Sequence, residues 1–581
     1  MTDFQTGSNG PGSNGRFEPE CAFEDQDLTE RSTFAGFFMD APWWALSAVL
    51  HLIVLLLIGG LVLSQSVTEA RTRKTTIIQR HYKPPPYDPT KAPDMVAKPN
   101  FLDKKPNKIF PRLKPEKVVP DIPHGLDRDN LGKRNLSGKG SFKAFGTGIG
   151  SSGLFGDRIH HGSLVPEGGG PGTEEAVRKA LEWLKRHQNP DGSWSCHDFV
   201  KMCDKKTGPC VNHPKNKAPW GKNDGRGWKE HDIGVTALAV LAFTGYGHTH
   251  QTGVHQDYVR VLKKAVKFLK SVQIHGTGDP RYDGCFRFKE TIPKDKSKEM
   301  EIDEELEWMY DHAIATMAVG ELLVLSGDTL GLKKTVEDAA EFCIRAQTDG
   351  SGWRYSVKSP VPDTSVTGWM VLALKTVRTC LLLDYISRPT EEELQRSFRG
   401  ALHWFDSVTS STTGITGYQA PGDQGSMLRE LADLKGGYPY SKELSCMTAV
   451  SVLCRLFAGE RRSNEIIKRG VGVLMRHPPK WRQRQGKSLS TINFYYWYYA
   501  TLAMFQYGGR LWRDWNKAMQ EALLPTQRRL GDMKGHGCED GSWDPIGEWG
   551  LAGGRVYSTA MGALTLEVYY RYKRAGELQS L

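Results

Sequence analysis

The chain of 581 residues carries 77 Lys and Arg against 66 Asp and Glu, a net charge of +11, with 39% hydrophobic and 10% aromatic residues. That length accommodates one large domain plus appendages, and the apolar content suits a packed core. The basic excess is spread along the chain rather than gathered in a groove-binding motif, which excludes nucleic acid as the expected partner.

Residues 1–40 are rich in Gly, Ser and Asn and then acidic, the composition of a disordered segment. From 42 to 64 the chain turns apolar, with no Asp, Glu, Lys or Arg over about 20 residues, the length that spans a bilayer. Trp43 and Trp44 suit one membrane interface. The run lacks a basic n-region and a small-residue cleavage site, so it reads as a single transmembrane helix rather than a signal peptide. Ser47 and His51 stand one helical turn apart within it, and intramembrane polar residues are functional candidates. This Ser-x-x-x-His pair, followed by a basic and proline-rich stretch, resembles the anchor of TonB-type proteins. The resemblance implies an inner-membrane protein partner, a proton channel, and a globular domain outside the cytoplasm. The plainer alternative has a neutral His51 bonding a neighbouring carbonyl. Arg71, Arg73, Lys74, Arg80 and Lys83 follow the span and argue for the opposite topology. That rule weakens for large translocated domains, so an extracytoplasmic domain is expected.

Residues 65–172 form a linker, first Pro/Lys-rich and extended, then Gly-rich. Gly138-Lys139-Gly140 is no phosphate loop, because Gly follows the Lys where Ser or Thr is needed. The stretch 173–575 is the folded part. In Ala176–Trp194, Ala176, Ala180, Trp183 and Leu184 recur at helical spacing, Thr173 offers an N-cap, and Asn189-Pro190-Asp191-Gly192 stops the helix. The pattern Lys179-Ala180, Trp183-Leu184, Gln188, Gly192, Trp194 resembles the QW repeat of squalene and hopene cyclases and their prenyltransferase relatives. Echoes follow at Gln273 with Gly284-Cys285-Phe286, at Gln347 with Gly352-Trp353, and at Gln527 with Gly541-Ser542-Trp543.

Six amphipathic segments (about 173–188, 257–273, 332–347, 393–408, 463–476 and 513–528) alternate with six that are apolar nearly all round (about 232–245, 312–326, 363–379, 443–457, 490–507 and 556–571). A helix apolar on every side must be buried. The expected fold is therefore all-α, an α/α6 toroid of six helical hairpins with an inner and an outer ring. That is the fold of the terpenoid cyclase and protein prenyltransferase families, which this region resembles.

In that fold the inner helices start at a central cavity. Their starts here read His231-Asp232, Tyr310-Asp311-His312, Asp363-Thr364, Glu443-Ser445, Ser490-Thr491 and Tyr557-Ser558-Thr559. Asp363, Asp311, His312 and Asp232 are the acid–base candidates, although capping alone accounts for a carboxylate at a helix start. Glu443, Tyr495, Tyr496, Trp497, Tyr557 and Ser558 are candidates for the cavity wall. The aromatic run from Phe494 to Tyr499 suits isoprenoid or other lipid ligands, or equally a packed core.

The resemblance implies two chemistries, and the motif for each is incomplete. Cyclases carry Asp-x-Asp-Asp-Thr, where Pro360-Val361-Pro362-Asp363-Thr364 stands here, with Pro362 in place of the proton donor. Prenyltransferases need an Asp, a Cys and a His for zinc, whereas the matching frame reads Asp540-Gly541-Ser542 and Tyr557-Ser558-Thr559. A ligand- or partner-binding module is thus expected, with a lipid- or isoprenoid-processing enzyme as the alternative. Cys196, Cys203, Cys210 and His213 cluster after the first unit. They read as a disulfide or inert thiols ahead of a structural zinc site, so no cofactor is expected.

Overall fold

The computed structural model describes His51, Arg158, His161 and residues 164–572 apart from 211–216, 424–444, 483–490, 531–536 and a few scattered positions. The chain divides into two compact units, Met1–Lys105 and Pro106–Leu581. In the first, His51 is helical and exposed, and the rest of the expected span at 42–64, with Ser47, lies outside the described residues. No helix among the described residues is long and apolar enough to cross a membrane.

Among the described residues of the second unit the regular elements are helices, apart from a two-residue ladder, β1 (Lys217–Ala218) with β2 (Gly221–Lys222), and three isolated β-bridges. Its outer helices are α1 (Pro171–Arg186), α3 (Gln256–Ser271), α6 (Leu332–Ala346), α8 (Glu391–Ser407), α10 (Glu465–Arg476) and α12 (Gly509–Leu523). Its inner helices are α2 (Asp232–Gly245), α5 (Met309–Ser326), α7 (Thr364–Leu382), α9 (Ser445–Phe457), α11 (Phe494–Tyr507) and α13 (Gly550–Leu566), the last followed by the single turn α14 (Val568–Arg571). Each inner helix packs on the next, and α13 packs back on α2, which closes the ring. The outer helices lie against them, α1 touching both α13 and α2. The double ring thus follows from this chain's own contacts.

Pattern explains placement. In α1 one face is buried (Ala176, Val177, Ala180, Leu181, Trp183, Leu184), whereas α7 is buried without a break from Thr364 to Cys380. Thr173 is not the N-cap of α1. Pro171, with its φ preset for a helix, starts the helix two residues earlier, and the Thr173 hydroxyl instead accepts from the Gly170 N–H at 3.0 Å. An extra short helix, α4 (Glu299–Leu306), precedes α5. It is rich in acidic residues and carries no apolar stripe that would announce it.

The four Gln units make one repeated set of bonds. Gln188 Nε2 donates to the carbonyls of Gly192, in its own turn, and Val261, in α3. Gln273 does so to Gly284 and Thr335, Gln347 to Ser351 and Ser397, and Gln527 to Gly541 and Ala176. Each therefore ties its own turn to the next outer helix, and Gln527 ties the last unit to the first. Trp194, Trp353 and Trp543 each donate an indole N–H back to the preceding outer helix, at Leu184, Cys343 and Leu523.

The end of the ring formed by the C-termini of the inner helices is filled by buried charge. Glu321 of α5 pairs with Arg158 at 2.7 Å and Arg571 at 3.1 Å, and accepts from the hydroxyls of Thr244 and Tyr572. Burial pushes the Glu321 carboxyl up, but the two guanidinium groups overcome it and hold the group at about 2. Arg158 also donates to the Arg571 carbonyl, so the two ends of the folded part touch.

Candidate functional site: a cavity at the inner-helix N-termini

At the opposite end, the first turns of α2, α5, α7, α11 and α13 and the residues just before them line a partly open cavity of about 100 Å³. Its polar wall is His231, Glu307 and Asp311; Tyr310, Trp369, Tyr495, Trp549 and Tyr557 supply most of the aromatic surface.

His231 is the N-cap of α2, which points its ring across the first turn of α5. Its Nδ1 lies 3.5 Å from Asp311 Oδ1. Close approach of Asp311 to α2 depends on Gly234, where a Cβ would stand 2.2 Å from Asp311 Oδ1. The Gly234 N–H donates to that carboxylate. Burial pushes the His231 imidazolium down, but Asp311 foremost, with Glu307 and Glu230, more than offsets this and raises it to about 9. Burial raises the Asp311 carboxyl, opposed by His231. Glu307 is raised for the same reason, opposed by His231 and by a hydrogen bond from Tyr355. Glu307 ends α4 in the left-handed region, φ 48° and ψ 26°, a strained conformation for a residue with a Cβ.

Beside the cavity, Arg354 pairs with Glu304 at 2.7 Å and lies 4.0 Å from Asp363 Oδ2. The Tyr355 and Tyr418 hydroxyls meet at 2.5 Å, and Ser365 bonds the Tyr495 hydroxyl at 2.8 Å.

Of the four acid–base candidates, Asp311 faces the cavity and the other three do not. Asp232 accepts the Cys196 backbone N–H at 2.7 Å, and burial raises it to about 8. Asp363 is the N-cap of α7, accepting from Val366 N–H at 2.7 Å, and burial raises it to about 7 against the pull of Arg354. His312 is a structural residue. Its Nδ1 accepts the Phe286 N–H at 3.1 Å, and its Nε2 faces Cys343 Sγ at 3.2 Å. In the other units a threonine hydroxyl does the same task, Thr236 for Trp194 N–H, Thr367 for Trp353 N–H and Thr559 for Trp543 N–H. Burial holds His312 neutral, its value lowered to about 3.

Tyr495 and Tyr557 line the cavity. Tyr496 turns away, its hydroxyl donating to the His477 carbonyl, and Trp497 packs against Trp481 with ring centres 6.1 Å apart. A helix presents only about one residue per turn to a given point, so an aromatic run cannot all face one cavity. Ser558 donates to the Trp543 carbonyl at 2.7 Å. Glu443 and His213 lie outside the described residues. Cys203 and Cys210 come together, but with His187 and Cys538 rather than with Cys196, whose backbone serves Asp232. His231 was legible as the neighbour of Asp232 at a helix start, whereas Glu307, Trp369 and Trp549 carried no sequence signal.

No family model matches this sequence, and no curated protein matches it either. Solved structures similar to it include an alpha-1,6-mannanase, GH76A, from Salegentibacter (10% identity, 69% of this chain and 100% of that one, TM-score 0.40). They also include the type II terpene cyclase MstE from Scytonema, at 12% identity over 71% of this chain and 99% of that one, with a TM-score of 0.36. A third, a protein from Actinoplanes, shares 16% identity over 68% of this chain and 98% of that one, TM-score 0.34. Likenesses of this size carry nothing about activity.

Proposed function

We propose that the toroid is a ligand-binding module whose cavity holds the end of a largely apolar molecule, such as an isoprenoid or other lipid, by its polar terminus. The observation that carries this reading is the convergence of His231, Asp311 and Glu307 on a cavity whose remaining wall, Ser365 apart, is aromatic rings, aliphatic side chains and glycines. A few convergent polar groups in an apolar pocket are the usual form of a small-molecule site. The volume of about 100 Å³ equals the liquid share of roughly three waters, which suits the end of a chain and not a whole triterpene. Cyclisation by the cyclase route is disfavoured further because Asp363 caps α7 beside Arg354 and does not face the cavity. The apolar run at 42–64 would hold the module at a membrane, where such ligands reside.

One observation favours a second reading, an enzyme that moves a proton. Glu307 combines a strained backbone with a carboxyl raised by burial, the combination expected of a general acid.

Native mass spectrometry of the detergent-solubilised full-length protein, with lipid extraction of what co-purifies, tests both. Binding predicts a single small lipid-like mass on the wild type that is lost in Asp311→Asn and Trp369→Ala. Turnover predicts two isomers of one mass in the extract, separated by chromatography, that interconvert on incubation with the protein, and their ratio freezes in Glu307→Gln. Wild-type protein that neither carries nor takes up any isoprenoid or lipid sinks both.

A further inference from the structure

At the seam of the ring, four metal-ligating side chains from distant parts of the chain meet. His187 follows the last turn of α1, Cys203 and Cys210 lie in the loop before α2, and Cys538 lies in the loop before α13. Their ligand atoms all fall within 4.8 Å of one another. His187 Nε2 stands 3.6 Å from Cys203 Sγ, 3.4 Å from Cys210 Sγ and 3.5 Å from Cys538 Sγ. Tetrahedral zinc with bonds of about 2.0 Å to nitrogen and 2.3 Å to sulfur separates those atoms by about 3.5 Å.

The surroundings fit the same ion. His187 Nδ1 lies 2.8 Å from the Trp183 carbonyl, which can only accept. The proton is therefore on Nδ1, and Nε2 turns its lone pair to the three sulfurs, the orientation that metal-bound histidines receive from a backbone acceptor. The ring is clamped by stacking on Trp183, centres 4.1 Å apart. The Cys210 backbone N–H donates to Cys203 Sγ at 3.2 Å, a bond that steadies a thiolate. One imidazole lone pair cannot satisfy three thiols at once, and none of the three is in a disulfide.

We propose that His187, Cys203, Cys210 and Cys538 bind one zinc ion that staples the first unit of the ring to the last. Four protein ligands, three of them buried, leave no open position, so the ion is structural. Thiolates and imidazole in this geometry select zinc over the hard cations. The staple acts beside the Gln527 bond to Ala176, and so closes the ring at the place where chain connectivity does not.

The test is metal analysis of the full-length protein purified without chelator. One zinc per chain is expected for the wild type and for Cys196→Ser, whose sulfur is not in the cluster, and less than one tenth for Cys538→Ser and Cys210→Ser. Because those two variants could lose zinc by misfolding, cobalt exchange into the wild type gives an independent reading. It should produce the intense visible bands of a tetrahedral site with three sulfurs and one nitrogen. Zinc-free wild-type protein whose three thiols alkylate freely in added zinc overturns the proposal, as does a mapped Cys203–Cys210 disulfide.

Discussion

His231 owes its charge to neighbours that the fold brings to it. In the unfolded chain it titrates near 6.5 and in the ring at about 9, with burial opposing and Asp311 and Glu307 dominating. The folded protein therefore holds this proton more tightly than the unfolded chain. The resulting stability is complete below pH 6.5 and is lost as the pH rises through 9. Wild type should exceed His231→Gln in urea stability by about 3 kcal/mol at the acid end of that window. The two should converge above it. A difference that is flat from pH 6 to 10 would mean that the Asp311 pairing is not what raises the group. His312 shows the opposite case. It too is a histidine at the start of an inner helix, yet it stands where three other units place threonine and is held neutral by burial.

At the scale of elements, the helix order was legible because inner and outer helices differ in composition all round the helix, a property of every residue in them. The facing of single residues was not. Neighbours on a helix differ by about 100° in direction, so the packing that rotates α2 decides that His231 and not Asp232 meets the cavity. Glu307 was beyond reach because α4 has no apolar stripe and the left-handed residue that caps it leaves no mark in composition. The glutamine units allow a direct test of what joins one hairpin to the next. Gln527→Ala deprives the buried carbonyls of Ala176 and Gly541 of a donor and should cost about 1–3 kcal/mol. Hydrogen exchange should rise first in α1 and α12. Gln347→Ala should cost a similar amount but loosen α6 and α8 instead, since its bonds run to Ser351 and Ser397. Equal exchange maps for the two variants would show that the glutamines do not act locally.

Across the whole molecule, the two ends of the ring do different work. The end at the helix N-termini holds the cavity, and the other is closed by Arg158, Glu321, Glu567 and Arg571, all buried. Arg158 precedes α1 and is buried against Glu321 and Arg571, so this residue belongs to the domain, although composition alone assigns it to the linker. Arg158→Ala leaves Glu321 with one guanidinium instead of two and should cost about 3 kcal/mol by chemical denaturation. Arg158→Ala together with Glu321→Gln should cost less than the sum of the two single changes, because the charge that needed a partner is gone.

The seam also sets an order of events during synthesis. His187 and Cys538 are 351 residues apart, as are Ala176 and Gln527. At ordinary translation rates of about 5–20 residues per second, the first unit waits on the order of tens of seconds for the last. Through that interval His187, Cys203 and Cys210 form a three-ligand half-site with no fourth ligand yet made. The nascent chain must therefore pass through a stage in which two neighbouring thiols meet the surrounding metal and oxidant before the ring that will bury them exists.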